Sequence, residues 1–441
     1  MSEKIPAILI FDIGKTNKKL LLFDEQYRVI HEEARQFTEI SDEDGFPCED
    51  IIAITKWIKD LFNKLVSDDR FEIKGINFSA YGASFVCLDE NLEPVPPMCN
   101  YLKPFPAAIQ KKFYSDYGGE SAVSKRTASP ASGNLNSGMQ LYRLKQEKPG
   151  EFKKIKYALH LPQYLSFILS GSVKSDITSI GCHTNLWNFQ QHHYDAWVEK
   201  EGILEKLASI AKSNEVAGLV QKNIPVGIGL HDSSAALIPY LISFNEPFVL
   251  ISTGTWCISL NPFNHGMLTD YELHKDCLCY LSYEGRAVKA SRLFAGYEHE
   301  QAVKKLADQY NKPADYYVQV NCDPLLLKRL KHSRSADAGT YEEAYHLLMI
   351  GIIEKQLRNT NLIMKEMKMK RIFVDGGFSK NSIYMYLLAA AFPEMEVYAA
   401  TMAQASATGA ALIFHQHWNR KEIPADLIDL KLYTVTHEMG L

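Results

Sequence analysis

The chain has 441 residues and an ordinary globular composition, with 46% apolar and 23% charged residues. This length exceeds the size at which a single hydrophobic core keeps growing, so we expect two domains. The formal net charge of −4 provides no basic surface for nucleic acid or for an anionic membrane, and excludes partners of both kinds.

The N-terminus and the cysteines indicate a cytoplasmic protein. Asp12 interrupts the N-terminal apolar stretch, which is therefore too short for a secretory signal. No apolar run approaches the ~20 residues of a membrane-spanning helix. The eight cysteines are scattered without a CxxC pair, which favours reduced and mostly buried thiols.

The first half of the chain predicts a mixed α/β unit. Apolar runs at 7–11 and 20–23 flank the polar stretch DIGKTNKK and predict a β-hairpin. Apolar residues at helical spacing predict a helix over 50–66, and GINFSAYG predicts the next strand. Two further helices, at QLYRLKQE and LPQYLSFILSG, are expected to form a helical insertion between about 140 and 170.

The second half begins with a change of pattern that places a domain boundary near residue 225, giving domains 1–225 and 226–441. VGIGLHDSSAALIPYL predicts a strand, a turn and a helix, and FVLIS and CISL predict a strand pair about the turn TGTW. A long helix over about 341–366, the strand RIFVDGG, a helix from Ser382 to Phe392 and the small-residue helix ASATGAALIFHQ follow.

The turns around Gly14 and Gly254 occupy equivalent places in the two halves. In both, a four-residue apolar strand is followed by a polar residue, a glycine two positions on and a return strand. Glycine lets backbone N–H groups approach an anion closely, and Thr16, Asn17 and Thr255 add side-chain donors. The pattern predicts two phosphate-binding turns.

Asp12 places a carboxylate beside the first turn. A hard oxygen ligand next to phosphate donors indicates Mg²⁺, and the alternative is that Asp12 is only a turn residue at the end of a strand.

Two other phosphate-binding motifs are excluded by the spacing of their glycines. GKT at 14–16 lacks the Walker A glycine five residues earlier, where Leu9 stands. The GxG at 227–229 is followed by Asp232 where the dinucleotide fingerprint needs its third glycine.

In order and spacing, DIGKTN, GLHDSSAA, STGTW and VDGGFSKN resemble the motifs of the FGGY carbohydrate kinases, over about residues 7–415. The resemblance implies an α/β fold with two duplicated actin/hexokinase/Hsp70-like ATPase domains, each with a ribonuclease H-like core, flanking a catalytic cleft. It also implies ATP and Mg²⁺, and a small-molecule sugar as the partner of a monomer or homodimer.

The resemblance assigns a role to each matching residue. The catalytic base is Asp232; the phosphate-binding residues are Asp12, Gly14, Lys15, Thr16, Asn17, Gly254 and Thr255, with Asp12 also the metal ligand; the adenosine-binding residues are Gly376, Gly377 and Asn381; and the substrate-binding residues are Tyr81, Ser84, Phe85, His231 and Asp232.

Several of these residues have structural alternatives. Asp232 could cap the helix that follows it, and Asn381 could cap the helix that starts at Ser382. Phe85 could pack as part of the FVCL strand, and His231 could fill a turn.

The substrate class follows from the closest motifs. STGTW and HDSSAA are similar to those of rhamnulokinases and fuculokinases, which implies a 6-deoxy-ketohexose such as L-fuculose or L-rhamnulose, phosphorylated at C1. The chain departs at NYLKP, where many members carry a Trp-Asp-Arg run, and at Ser84, where rhamnulokinases usually have an acidic residue. The alternatives are a xylulokinase- or glycerol kinase-like polyol kinase and a non-catalytic actin-like ATP-binding sensor.

Overall fold

The computed structural model describes residues 3–434 apart from 222, 334–337, 365–367 and 403. Within these residues, the longer strands form two seven-stranded sheets. The elements of the first unit are β1 (Ile5–Ile13), β2 (Lys18–Asp24), β3 (Val29–Arg35), β4 (Ile40–Ser41), β5 (Pro47–Cys48), α1 (Ile51–Val66), β6 (Phe71–Ala80), β7 (Phe85–Leu88), α2 (Ala107–Asp116), α3 (Glu120–Thr127), α4 (Ser137–Glu147), α5 (Pro149–Lys154), β8 (Tyr157–His160), α6 (Leu161–Ser170), β9 (Ser175–Asp176), α7 (Ile177–Ile180), β10 (Trp187–Asn188), β11 (His193–Tyr194), α8 (Ala196–Lys200), β12 (Ile210–Ala211), β13 (Val216–Val220), β14 (Ile224–Gly227), β15 (Leu230–His231) and α9 (Asp232–Ser243).

The second unit has a similar content. Its elements are β16 (Phe248–Thr253), β17 (Cys257–Asn261), α10 (Asp270–His274), β18 (Cys277–Leu281), β19 (Ala287–Leu293), α11 (Ala295–Tyr310), α12 (Pro324–Ser333), α13 (Tyr341–Asn361), β20 (Arg371–Gly376), α14 (Ser382–Ala391), β21 (Glu396–Thr401), α15 (Ala405–Ile413), α16 (His415–Trp418) and β22 (Asp429–Tyr433).

The central strands of the two sheets are arranged in the same way. The first runs β13-β14-β6-β1-β2-β3, with β15 also on β6, and the second runs β18-β19-β17-β16-β20-β21-β22. An antiparallel trio, β1-β2-β3 or β16-β17-β19, adjoins a parallel strand, β6 or β20. The prediction of two duplicated α/β domains is confirmed.

The predicted elements are present with small shifts at their ends. The hairpin pairs β1 with β2, and α1 begins after Asp50, whose side chain accepts a hydrogen bond from the Ala53 amide. The inserted helices correspond to α4 and α6, and the latter ends at Gly171 in a left-handed conformation. The long helix predicted to residue 366 ends at Asn361, and residues 365–366 lie outside the described residues.

The strand pairing departs from the expected boundary near residue 225. Both β14 and β15 lie parallel to β6, so a division at 225 would cut the first sheet. The sequence does not show this pairing, because parallel strands are joined by long crossover connections. The position of β14 and β15 in the chain therefore does not indicate which sheet they join. We propose that the division lies instead between Ser243 and Phe248.

The C-terminal helices return to the first unit. Helix α15 packs against α9, β1 and β6, and its apolar face joins Ile8, Ile10 and Leu21 of the first sheet in one core cluster. Phe414 and Trp418 belong to the same cluster and are 0% and 7% exposed. The two units are therefore held together by α9 and α15 as well as by the chain connection.

The cysteines are mostly buried. All eight cysteines are free thiols and five of them are buried, which confirms the prediction of mostly buried, reduced cysteines. No helix in the described part of the chain is long and apolar enough to cross a membrane.

Candidate active site

The first predicted phosphate turn connects β1 to β2. The Gly14 amide donates to the Asn17 carbonyl at 3.0 Å, which closes the turn. Thr16 and Asn17 are exposed, and the Asn17 side-chain oxygen accepts a hydrogen bond from Gln36 at 3.0 Å. The turn thus presents its polar groups at the surface of the unit.

Lys15, in the same turn, is bound by carboxylates. Its Nζ lies 2.5 Å from Glu39 Oε1 and 3.4 Å from Glu49 Oε1. Glu49 is buried and also accepts from Lys18 Nζ at 2.8 Å. The structure therefore places the Lys15 ammonium in a charge cluster of the first unit.

The second predicted phosphate turn connects β16 to β17 and touches the start of α11. The Gly254 amide donates to the Trp256 carbonyl at 2.9 Å, and the Tyr297 amide donates to the Thr255 carbonyl at 3.1 Å. A Cβ atom on Gly296 would lie 1.8 Å from the Gly254 carbonyl oxygen. The turn and the helix start are in backbone contact, and the Trp256 ring packs on Phe294, the N-cap residue of α11, at 4.4 Å.

A cavity of about 870 Å³ opens beside this turn. It brings together residues predicted from separate motifs, since Gly254 and Thr255 line it with Gly377 and Asn381. Gly376, next in sequence, has φ +89°, and a Cβ there would lie 1.9 Å from the Thr253 carbonyl oxygen. Glycine is required there by both conformation and space.

The remaining walls of this cavity suit a nucleotide. The aromatic side chains of His299, Tyr317 and Phe378 line the cavity, together with Lys380 and with Lys304, which pairs with Glu300 at 2.6 Å. A volume of this size fits a nucleotide-sized ligand, and lysines bind phosphate as point charges.

Asn381 caps a helix and also lines the large cavity. Its side-chain oxygen accepts from the Tyr384 amide at 3.0 Å, so it caps α14 as the structural alternative predicts. Its Nδ2 donates to the Tyr345 hydroxyl at 2.7 Å, and the residue also lines the large cavity.

A smaller cavity of about 220 Å³ lies between the two units. Asp232 and Ser233 line it from α9, Ser252 and Asp375 from the second sheet, and Ser406 from α15. The Ser406 hydroxyl also donates to Asp12 Oδ2 at 2.9 Å. Asp12 and Asp232, 220 positions apart in the sequence, are thus brought to one place.

Burial makes these carboxylates unusually basic. Removal from water raises the pKa of Asp232 to about 6, while hydrogen bonds from Ser233 oppose the shift. Burial likewise raises the pKa of Asp12 to about 6, although the Ser406 hydrogen bond lowers it, and the charge of Asp232 adds to the increase. Burial also raises the pKa of Asp375.

The Asp12 carboxylate could bind a magnesium ion. Asp12 is a hard oxygen ligand whose negative charge is poorly solvated, so a bound cation would be favourable there. No group of three or more metal-ligating side chains occurs among the residues that the structure describes. Mg²⁺ typically uses one or two protein carboxylates together with waters and phosphate oxygens, and Asp12 could supply one such carboxylate.

The predicted sugar residues of the first unit are buried. Tyr81, Ser84 and Phe85 are 7%, 1% and 3% exposed. The Ser84 hydroxyl donates to the Cys99 carbonyl at 3.2 Å, and the Phe85 ring lies 4.0 Å from the His160 ring. Neither side chain lines the cavity that contains Asp232, because both are held in contacts within the first unit.

His231 is buried as well, with both ring nitrogens in contact with side chains of its own unit. Nε2 lies 3.0 Å from Cys182 Sγ, and Nδ1 lies 3.2 Å from Ser234 Oγ. Burial lowers the pKa of His231 to about 3, so the ring is neutral at physiological pH. Its Nε2 also lies 3.2 Å from Asp232 Oδ1.

Sequence reasoning missed residues that the second unit contributes. Ser252 pairs in register with Ile258 on one side and with Asp375 on the other, and Arg292 pairs with Ile258. Asp375 stands in the VDGG motif, where its position could have been noticed. Ser406 carries no such signal, because it reaches Asp12 from 394 residues away.

Comparison with known families gives matches over most of the chain. The N-terminal domain of the FGGY family of carbohydrate kinases matches residues 7–238, and the FGGY carbohydrate kinase C-terminal domain matches residues 245–330.

The sequence is also similar to curated rhamnulokinases. That of Mannheimia succiniciproducens is 24% identical over 258 residues, which cover 57% of this chain and 52% of the relative. That of Halalkalibacterium halodurans is 25% identical over 264 residues, which cover 57% and 55%. The match spans about half the length of these relatives.

Solved structures share the fold over nearly the whole chain. A carbohydrate kinase from Novosphingobium aromaticivorans has a TM-score of 0.84 at 22% identity and covers 98% of this chain and 95% of its own. A xylulose kinase from Rhodospirillum rubrum has a TM-score of 0.81 at 14% identity, with 98% and 95% coverage. A gluconate kinase from Lactobacillus acidophilus has a TM-score of 0.78 at 18% identity, with 99% and 95% coverage. At these identities the likeness concerns the fold.

Proposed function

Because this chain belongs to the FGGY family of carbohydrate kinases, we propose that it transfers the γ-phosphoryl group of ATP to a hydroxyl group of a small sugar. The observation that carries this proposal is the cavity between the units, where Asp232 faces Ser252 and Asp375 of the second sheet. A carboxylate with a raised pKa there can accept the proton of an attacking hydroxyl.

The nucleotide is proposed to occupy the large cavity of the second unit. Gly254 and Thr255 would contact its phosphates, and Gly377 and Asn381 would contact adenosine. Asp12 would hold Mg²⁺, which, when bound, neutralises the charge that develops on the phosphate oxygens. The chain itself orients the phosphates through the turns, while Asp232 takes the proton from the sugar hydroxyl.

The sugar is proposed to be a 6-deoxy-ketohexose such as L-fuculose or L-rhamnulose, phosphorylated at C1. The similarity to rhamnulokinases and the motifs STGTW and HDSSAA support this choice. The burial of Ser84 leaves the stereochemical contacts to other residues, among which Tyr101 packs against Tyr81 at a ring distance of 5.9 Å and is partly exposed.

A coupled assay over a panel of sugars tests the proposal. ADP release is measured with ATP and Mg²⁺ in the presence of L-rhamnulose, L-fuculose, D-xylulose, D-gluconate and glycerol. We expect the highest kcat/KM with one of the two deoxyketoses. Turnover confined to xylulose, gluconate or glycerol would contradict the substrate class but would retain the kinase assignment.

The same assay addresses a non-catalytic function. An actin-like ATP-binding sensor would bind ATP and change its domain arrangement, but no sugar would stimulate ADP release. The raised pKa of the Asp232 carboxyl favours the kinase, since a nucleotide switch needs no base at that place.

A further inference from the structure

A connected set of buried side chains links the second unit to Asp232. The Ser234 hydroxyl donates to the Leu281 carbonyl at 3.2 Å, and His231 Nδ1 lies 3.2 Å from the same hydroxyl oxygen. On the other side of the ring, Nε2 lies 3.0 Å from Cys182 Sγ. Cys182, His231 and Ser234 are 0%, 3% and 6% exposed, so water does not replace these contacts.

The contacts of this set favour one tautomer of His231. A serine hydroxyl has one hydrogen, and since a carbonyl can only accept, the contact with Leu281 is a hydrogen bond when that hydrogen points to Leu281. Its oxygen can then only accept, so the imidazole proton lies on Nδ1. Nε2 is left with a lone pair, to which the Cys182 thiol donates, because burial raises the pKa of that thiol and keeps it protonated.

This tautomer places a lone pair beside the proposed base. Nε2 lies 3.2 Å from Asp232 Oδ1, which already accepts from the Ser233 amide at 2.6 Å. An electron-rich nitrogen at this distance disfavours the ionised carboxylate and strengthens Asp232 as a proton acceptor. With the proton on Nε2 instead, the same contact would stabilise the carboxylate.

We propose that Ser234 is a positioning residue that holds the His231 proton on Nδ1 and thereby strengthens the basicity of Asp232. The proposal rests on the proposed function in one respect, the role of Asp232 as the base. The other titratable groups near Asp232 are Asp12, Tyr101, Cys182, Tyr280 and Asp375.

The tautomer is measured directly by ¹⁵N NMR of protein labelled at histidine. A protonated and an unprotonated imidazole nitrogen have well-separated ¹⁵N shifts, and the His231→Gln spectrum identifies the signals that belong to His231. In the wild type we expect a proton on Nδ1 and a free Nε2. A proton on Nε2 would overturn the proposal, whatever the activity of the protein.

Variants of Ser234 and Cys182 separate the role of the Nδ1 contact of His231 from that of its Nε2 contact. In Ser234→Ala the Nδ1 proton loses its acceptor, so we expect it to move to Nε2, where the Cys182 sulfur and Asp232 can accept. Ser234→Thr keeps the hydroxyl and should restore the wild-type tautomer. Cys182→Ala is the matched control, since it leaves the Nδ1 contact intact and should retain the proton on Nδ1. An unchanged tautomer in Ser234→Ala would contradict the proposal.

The consequence for the base is measured by the pH profile of kcat/KM with the best sugar. In Ser234→Ala we expect the acidic limb to move to lower pH by on the order of one unit or less, since full charges at such distances shift a pKa by about 1–3 units. In Cys182→Ala the limb should stay in place. A reversed tautomer with an unmoved limb would overturn the link to Asp232, while absence of any sugar turnover in the wild type would instead overturn the proposed function.

Discussion

At the residue scale, the candidate base is placed where burial opposes its charge. Asp232 begins α9, between the two units, and faces Asp375 across the small cavity. The structural alternative, a capping role, is not what the structure shows, because His231 occupies the N-cap position and no side chain caps α9; Asp232 Oδ1 accepts only from the amide and the hydroxyl of its neighbour Ser233. These bonds orient the carboxylate and do not cancel the effect of burial, so the pKa remains near 6.

The first prediction concerns catalysis. Asp232→Asn removes the proton acceptor but keeps the shape of the side chain, so we expect kcat to fall by about 10²- to 10⁴-fold. ATP affinity, measured by calorimetric titration, should change little because the large cavity lies elsewhere. Asp50→Asn is a matched control at another helix start and should retain full kcat. Equal turnover in Asp232→Asn and the wild type would show that another group is the base.

The second prediction concerns stability and its dependence on pH. The pKa of Asp232 is about 6 in the folded protein and close to 3.8 when unfolded, so the folded state binds more protons between these values. The stability contribution is fully present below about pH 4 and is lost as the pH rises through 6. Asp232→Asn lacks this loss, so we expect its melting temperature to exceed that of the wild type at pH 7.5.

Thermal unfolding at pH 4.5, 6.0 and 7.5 measures this difference. The gain should shrink as the pH falls, because both proteins then carry an uncharged group at the site. A difference in melting temperature that stays constant over this range would argue against a raised pKa for Asp232.

At the element scale, the second phosphate turn depends on how α11 begins. The helix approaches the turn so closely that Gly296 leaves no room for a side chain against the Gly254 carbonyl. The turn and the helix are therefore fitted to each other, which preorganises the turn that we propose to contact the nucleotide phosphates.

The third prediction tests this contact. Gly296→Ala puts a Cβ atom 1.8 Å from a backbone oxygen, so the turn or the helix must shift. We expect at least a tenfold loss of ATP affinity, about 1.4 kcal/mol, measured by calorimetric titration. Gly351→Ala is the matched control, because Gly351 also lies in a helix but has no atom within 4 Å of its ideal Cβ.

The control variant, Gly351→Ala, should be more stable than the wild type. Alanine in place of glycine inside a helix is expected to stabilise the protein by about 0.5–1 kcal/mol. Its ATP affinity should equal that of the wild type. Identical ATP affinities for Gly296→Ala and Gly351→Ala would disprove the role given to the contact between α11 and the turn.

At the scale of the whole molecule, the two units do not follow the order of the chain. Helices α15 and α16 come after almost all of the second sheet, yet they cover the first one. Removal of the C-terminal region would expose part of the core of the first unit. The two units should therefore unfold together.

The fourth prediction is a single unfolding transition that a C-terminal substitution shifts as a whole. Phe414→Ala creates a cavity against the first sheet and should lower the free energy of unfolding by about 3–5 kcal/mol. Scanning calorimetry should give equal calorimetric and van't Hoff enthalpies for the wild type and the variant. Leu432→Ala, at a side chain that is 46% exposed, should cost less than about 1 kcal/mol. Two resolved transitions would contradict the coupling of the units.

The sequence by itself determined the elements and the family. The polar turn between two apolar runs forms β1 and β2, and the helical spacing after Asp50 forms α1, because both depend on residues close together in the chain. The ordered motifs identified the family for the same reason, since each is a local turn with its own residue requirements.

Tertiary structure alone decided how these local pieces combine at the site. It placed β14 and β15 in the first sheet, bound Lys15 to Glu39, buried Ser84, and brought Ser406 to Asp12. Such outcomes depend on contacts between residues hundreds of positions apart, and local preferences do not specify them. The raised pKa of Asp232 belongs to the same group, because burial is a property of the assembled units and not of the segment that carries the side chain.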